Sequence, residues 1–263
     1  ALAPADRVNF DLLTLDLRND IEAANFGGKY LAITNRFGPH TFITGLPDDL
    51  PFFTVADHES YVARLNAAPA YIDGVIERLS KGVETGWVQP CASMAGYEKT
   101  IRFHIVDKPA DSAMMRPFDV KPATISTKDW KRLQTSAERA VAEKAIPAIA
   151  RFADFYEKTY APACRQAIGA SALPDGRAYY DFRAALFTTT RMTADEIHAL
   201  GLKEVARIRK EMDATIKAAK FDGGFKAFQE FLRTDPQFYA RTPQELMEKN
   251  SLVAKKIDGE LPK

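Results

Sequence analysis

The sequence predicts an all-α protein, a multi-helix bundle of helical hairpins. Two observations predict this class. Apolar residues recur at steps of three and four along several long segments, which is the period of an amphipathic helix. Residues that cap helices stand at the start of three of these segments, at Ser126, Thr193 and Thr242. We therefore expect little or no β-sheet.

Composition and charge narrow the possible partners. The chain has 263 residues, of which 46% are hydrophobic and 27% charged, as in an ordinary globular protein. The 36 basic and 35 acidic residues give a formal net charge of +1, without the basic excess typical of nucleic-acid binders. No apolar run approaches the roughly 18 residues that would span a membrane. We expect neither a nucleic acid as partner nor a membrane span.

Residues 1–110 are predicted to be an N-terminal helical region. Its first helix carries an apolar stripe of Phe10, Leu13, Leu17, Ile21 and Ala24. Residues 27–56 are rich in Gly and Pro and predict a long irregular loop.

Capping residues and prolines predict the helices that follow this loop. Asp57 is predicted to cap a helix through Asn66, and a second helix is expected to start after Pro69 and to end near Gly86. The segment 93–106 is a further helix candidate.

A proline-punctuated connector at 111–125 is the predicted boundary to a C-terminal helical bundle region at 126–263. Ser126 should cap a long helix, which Pro147 should kink or divide. The last helix opens with Thr242 as cap, Pro243 at the first position and Glu245 closing a capping box. We expect the two regions to form one integrated domain of a longer parent protein.

One spacing in the C-terminal region suggests a metal site. Asp195 and His198 are three residues apart, as in the carboxylate-x-x-His arms of metal-binding bundles. However, Thr193 and Glu196 have the spacing of a capping box, and Asp195 in the first turn suits the helix dipole. His40, His58 and His104 offer no second arm, because none follows a carboxylate at three residues. The pattern therefore predicts a helix start, with no metal ligand or cofactor in this chain.

Other candidate chemistry is sparse. Gly-x-Ser-x-Gly and the phosphate-binding loop are both absent from the sequence. Tyr179, Tyr180 and Arg183 could face a ligand, although aromatic residues at helical spacing are more often part of a core. Cys91 and Cys164 are far apart in sequence, and two buried free thiols are expected, with a disulfide as the alternative.

Several long sequence words carry a resemblance to a known family. The matched words include "ALPDGRAYY", "TTT", "T-x-x-E-I-H-x-L-G-L-x-E-V-x-R-I" and "FLRTDPQFY". Upstream, "PADRVNFDLLTLDLRNDIE" and "AIPAIARFADFYEKTYAPACR" follow in the same order. The sequence resembles a bacterial family catalogued as domain of unknown function 885 over nearly its whole length.

The resemblance implies a function for a longer protein. Family members resemble zincins, helical metallopeptidase-like hydrolases whose His-Glu-x-x-His-like zinc motif follows the region matched here. The chain also begins with Ala rather than Met, so we expect a fragment that is inactive alone, with zinc required only by the full-length parent. The implied partners are the remainder of the parent chain, a peptide substrate, or a second copy. The implied location is periplasmic or secreted.

The resemblance also implies a role for one surface. Helices from the front half of such enzymes form one side of the substrate cleft, and the substrate-facing candidates are Tyr179, Arg183, Thr188, Thr189 and Thr190. In the alternative interpretation, the threonine triplet only ends one helix and leads into the next cap. In a second interpretation, the whole chain is a self-sufficient helical binding or scaffold protein without catalysis.

Overall fold

The fold is built from α-helices, as the periodicity predicts. The structure is a computed structural model that describes residues 3–261. These residues contain no β-strand, only one isolated bridge between Pro90 and Arg165. The all-α class is therefore confirmed.

The chain divides into two compact units, one ending at Arg191 and the next beginning at Met192. The predicted connector at 111–125 lies inside the first unit, where it forms short 3₁₀ turns, Pro109–Asp111 and Ala113–Phe118. The first unit contains α1 Pro4–Ala24, α2 Pro39–Asp49, α3 Val55–Thr85, α4 Cys91–Met94, α5 Tyr97–Arg102, α6 Thr127–Ala140, α7 Ile146–Phe155 and α8 Gly176–Thr188. The second contains α9 Ala194–Ala218, α10 Phe225–Thr234 and α11 Pro243–Asp258.

The predicted loop at 27–56 is wrong in its middle, where α2 forms. Pro39 occupies the first turn of α2, where its missing N–H costs nothing. The Gly38 N–H donates to the Thr41 hydroxyl over 3.0 Å and so satisfies the helix start. A glycine–proline pair that suggested a loop is here a helix N-terminus.

Helix α3 is one continuous helix, not the two that Pro69 predicted. Its cap is Thr54 rather than Asp57: Thr54 Oγ1 accepts from the Asp57 N–H over 3.2 Å, and Asp57 accepts from the Thr54 N–H over 2.8 Å. The helix continues through Pro69 because one face is buried along its whole length. The largest fully buried side chains of that face are Tyr61, Leu65, Ile72 and Leu79.

Pro147 divides the next long helix, as predicted. The Ser126 hydroxyl caps α6 by accepting from the Asp129 N–H over 3.1 Å. A π-helical segment, Val141–Ala145, then separates α6 from α7 just before Pro147. Proline lacks a backbone donor and its ring crowds the carbonyl four residues earlier, so a wider turn relieves the conflict.

The core of the first unit lies where α3 packs against α6 and α7. Near it, Cys91 and Cys164 form a disulfide, with Cα atoms 5.1 Å apart. The expected pair of free thiols is therefore wrong. The Cys91 N–H donates to the Arg165 carbonyl over 2.9 Å, and the Arg165 N–H donates to the Gln89 carbonyl over 3.1 Å. This pairing aligns two segments that are 73 residues apart, which spacing alone could not reveal.

The second unit begins with the predicted capping box. Thr193 Oγ1 accepts from the Glu196 N–H over 3.2 Å, and Glu196 accepts from the Thr193 N–H over 2.8 Å. At α11 the Thr242 cap also forms. There, however, the Glu245 carboxylate accepts from the Arg241 N–H, one residue earlier than predicted.

Three helices expose long apolar faces. No residue of α1 or α11 is buried, and Ile216 is the only buried residue of α9. The stripe predicted on α1 is present but solvent-facing, since Phe10 is 56% and Ile21 69% exposed. The other exposed apolar side chains of these helices are Val8, Leu12, Leu13, Leu15, Leu17, Leu200, Leu202, Val205, Ile208, Met212, Leu246, Met247, Leu252, Val253 and Ile257.

Candidate functional site

A shallow concavity on α8 contains two of the predicted substrate-facing residues. We name it the α8 groove. Its volume is about 370 Å³, and its lining is Ala170, Tyr179, Tyr180, Arg183, Ala184 and Phe187. Tyr179 and Arg183 were predicted from the sequence, whereas Ala170 and Phe187 were not singled out as lining residues.

Aromatic packing fixes the position of Tyr179. Its ring lies edge-on to Trp87, with ring centroids 5.0 Å apart, and tilted against Phe26 at 5.5 Å. The Tyr179 ring also packs on Gly28, where a Cβ atom would come within 3.1 Å of the phenol oxygen. Because Trp87 is buried, these contacts hold the Tyr179 ring against a buried side chain.

Arg183 is held by aromatic rings and not by an acid. Its guanidinium carbon lies 4.7 Å from the Phe187 ring centroid and 5.9 Å from the Tyr179 ring centroid. Such cation–π contacts orient a guanidinium without neutralising its charge.

The predicted threonine triplet ends α8. The Thr188 hydroxyl donates to the Ala184 carbonyl over 2.8 Å and lies 3.0 Å from the Thr190 hydroxyl. Thr189 adopts a left-handed conformation with φ of 54°, as residues at helix C-termini often do. The three threonines are not lining residues of the groove, and their contacts agree with the alternative interpretation, in which the triplet ends a helix.

A second concavity, of about 450 Å³, lies beside a pair of histidines. His104 is one of its lining residues, together with Asp111, Ser112 and Arg116. The His104 ring lies 5.7 Å from the ring of His40, which is fully buried.

His40 is in an environment that disfavours its charged form. Its Nε2 lies 3.2 Å from the Thr100 hydroxyl, and its Nδ1 has no hydrogen-bond partner. Burial, reinforced by the neighbouring His104, lowers the pKa of His40 from 6.5 to about 4. Burial also lowers the pKa of His104. The pair therefore favours the neutral imidazoles.

The histidines of this chain do not fit a zinc site. Both ring nitrogens of His58 lie within hydrogen-bond distance of backbone carbonyls, 2.9 Å from Thr54 and 3.3 Å from Pro117. His198 is exposed at the start of α9. Within residues 3–261, no three His, Cys, Asp or Glu side chains are grouped so that they could hold a metal.

Comparison with known proteins identifies the family. The sequence matches, over residues 1–263, the family described as "Bacterial protein of unknown function (DUF885)". The chain belongs to this family. The resemblance found in the sequence words is thus confirmed for the family itself.

The fold of this DUF885 protein also has a solved neighbour. It is similar to "the putative lipoprotein from Colwellia psychrerythraea", with a TM-score of 0.72 and 21% identity. The match covers 80% of the present chain but 37% of that protein, so the chain spans well under half of its length. No curated protein matches the sequence significantly. Among the described helices, none is both long and apolar enough to cross a membrane.

Proposed function

We propose that this DUF885 protein is one helical wall of a longer zinc-dependent peptidase and is inactive alone. The observation that carries the proposal is the exposure of the apolar faces of α1, α9 and α11. Contiguous apolar patches beyond a few hundred Å² are unusual on a monomer and mark interaction surfaces. The solved neighbour, which is much longer than this chain, supports a larger parent.

The second unit gives the strongest support. Ile216 is its only buried hydrophobic residue among the described ones. The partly buried rings of Phe221, Phe228 and Phe231 contact one another, and Phe231 also contacts the exposed Phe238. A segment of about 70 residues with so small a core needs further contacts to be stable. In the proposed parent, the remaining chain supplies those contacts.

Within that parent, the α8 groove faces the substrate. Tyr179 and Arg183 are the contacting residues, and Thr188, Thr189 and Thr190 form the adjoining edge of the cleft. The disulfide between Cys91 and Cys164 favours an oxidising compartment, which supports a periplasmic or secreted location.

Two measurements test the proposal. The first is the sequence of the whole reading frame that encodes this chain, and the second is the peptidase activity of the complete protein. We expect a His-Glu-x-x-His-like motif in the added sequence and zinc-dependent hydrolysis of peptides, which alanine at the motif glutamate should abolish. A frame without such a motif would contradict the peptidase and favour a self-sufficient helical binding or scaffold protein. Activity that persists after removal of zinc would contradict it as well.

A further inference from the structure

We propose that the α8 groove is a binding site for a small organic carboxylate, with Arg183 as the residue that recognises the anion. The inference deepens the proposed function, on which its assignment to a substrate rests, by naming the ligand class. The site itself is argued from residues of this chain and can be tested without the parent protein.

Among the described residues, Arg183 has no acidic partner, in contrast to the arginines of the first unit that form ion pairs. Arg102, Arg116 and Arg132 each lie within 3.0 Å of a carboxylate oxygen. Within the part of the chain that the structure describes, Arg183 makes no ion pair and no hydrogen bond, only its two aromatic contacts. Its full charge and all of its N–H donors are therefore free for a ligand.

The aromatic contacts make this free guanidinium suitable for recognition. Contact with the Phe187 and Tyr179 rings restricts the side chain, so less conformational entropy is lost when an anion binds. A guanidinium presents paired N–H donors that match the two oxygens of a carboxylate. The arrangement thus favours a planar, bidentate acceptor.

The rest of the lining specifies the remainder of the ligand. None of the described lining residues is acidic, and Tyr179, Phe187 and Ala184 offer apolar surface. The hydroxyls of Tyr179 and Tyr180 make no hydrogen bond to any described residue and can donate to ligand oxygens. The volume lies near the lower end of the roughly 300–1,000 Å³ usual for small-molecule sites.

Charge distinguishes a carboxylate from a phosphate. Among the described residues that line the groove, Arg183 alone is charged, so they offer one positive charge. A carboxylate carries one negative charge, whereas a phosphomonoester carries close to two near neutral pH and is usually held by several donors. The geometry therefore points to a monocarboxylate attached to an apolar or aromatic group.

Isothermal titration of the chain with matched probes tests the proposal. N-acetylphenylalanine carries the carboxylate, N-acetylphenylalanine amide is its neutral counterpart, and phenethylamine is a cation with a similar ring. We expect binding of the first and at least about tenfold weaker binding of the other two, because a charge-assisted hydrogen bond is lost. Equal binding of acid and amide, or no binding of the acid, would overturn the proposal.

Variants of α8 show whether Arg183 is responsible. Arg183→Gln should weaken binding of the acid about 10- to 100-fold, and Arg183→Lys should recover only part of it, since lysine lacks the bidentate edge. Arg177→Gln removes an exposed arginine of the same helix that does not line the groove. This variant should bind the acid as tightly as the unsubstituted chain does. Equal affinity of Arg183→Gln and Arg177→Gln, with matching circular dichroism spectra, would refute the role of Arg183.

Three further probes identify the source of the carboxylate. A peptide with a free C-terminus is compared with its C-terminal amide carrying an internal glutamate, and with benzoate. Preference for the free C-terminus supports a peptide substrate. Preference for benzoate supports a carboxylate site but contradicts its assignment to peptide hydrolysis. This result would therefore contradict the proposed function and not the carboxylate site.

Discussion

Mild acid should destabilise the first unit through His40. In the folded chain this ring is fully buried, its Nδ1 has no partner, and its pKa is lowered from 6.5 to about 4. A group with a lowered pKa keeps its full contribution to stability above the unfolded value. It loses that contribution as the pH falls towards the folded value, because the unfolded chain takes up the proton first.

The size of the effect follows from the shift. At about 1.4 kcal/mol per pKa unit, the whole shift corresponds to about 3 kcal/mol. Between pH 7.5 and 5.5 the expected loss is about 1.3 kcal/mol. In this window, carboxylates with pKa values at or below the ordinary range of about 4 remain ionised, so histidine dominates. His104, whose pKa is also lowered, adds a loss of the same sign.

Urea unfolding at a series of pH values, followed by circular dichroism, measures the loss. Replacing His40 with glutamine should reduce the fall in unfolding free energy between pH 7.5 and 5.5 by about 1.3 kcal/mol. A loss of stability that is the same at every pH does not affect the prediction, which concerns only the change of unfolding free energy with pH. His198→Gln, which replaces an exposed histidine, is the matched control. An unchanged slope in His40→Gln would refute the reasoning.

Three further predictions concern the cap of α9, the disulfide and the zinc content of the chain. Thr193→Ala should lower the unfolding free energy by roughly 0.5–2 kcal/mol in urea titrations, because α9 loses its cap. An unchanged unfolding free energy would contradict a stabilising role of this cap. Replacing Cys91 and Cys164 together with serine should lower the unfolding free energy by about 4 kcal/mol, since the bridge closes a loop of 73 residues in the unfolded chain. Equal stability of the variant and of the unsubstituted, oxidised chain would contradict this. Elemental analysis after dialysis should find no stoichiometric zinc, because a tight site generally needs three or four convergent ligands; one retained zinc per chain would overturn the structural reading of the histidines.

Local signals in the sequence predict much of the fold. The caps at Ser126, Thr193 and Thr242 form hydrogen bonds that depend on a few adjacent residues, so they could be recognised directly. Pro147 likewise acts on its own helix. Pro69 shows the limit of such rules, because the burial of α3 on both sides of it maintains the helix where local preference predicts a break.

Features that depend on distant contacts could not be predicted. The disulfide between Cys91 and Cys164 depends on a backbone pairing across 73 residues. The α8 groove was partly foreseen, since Tyr179 and Arg183 are close in sequence and share a helix. The role of Phe187 depends on its contact with Arg183, and the packing of Tyr179 depends on Trp87, which lies far upstream. Likewise, the stripe on α1 predicted a helix but not that its apolar face would be exposed.

Sedimentation velocity tests most directly whether the exposed apolar faces of α1, α9 and α11 bind another chain. The chain is measured over a hundredfold concentration range, alone and mixed with the remainder of its parent. We expect self-association of the isolated chain, or a complex with the added part, and weakening of either when Leu13 and Leu17 on the exposed face of α1 are replaced with glutamate. A strictly monomeric species that ignores the added part would contradict the proposal.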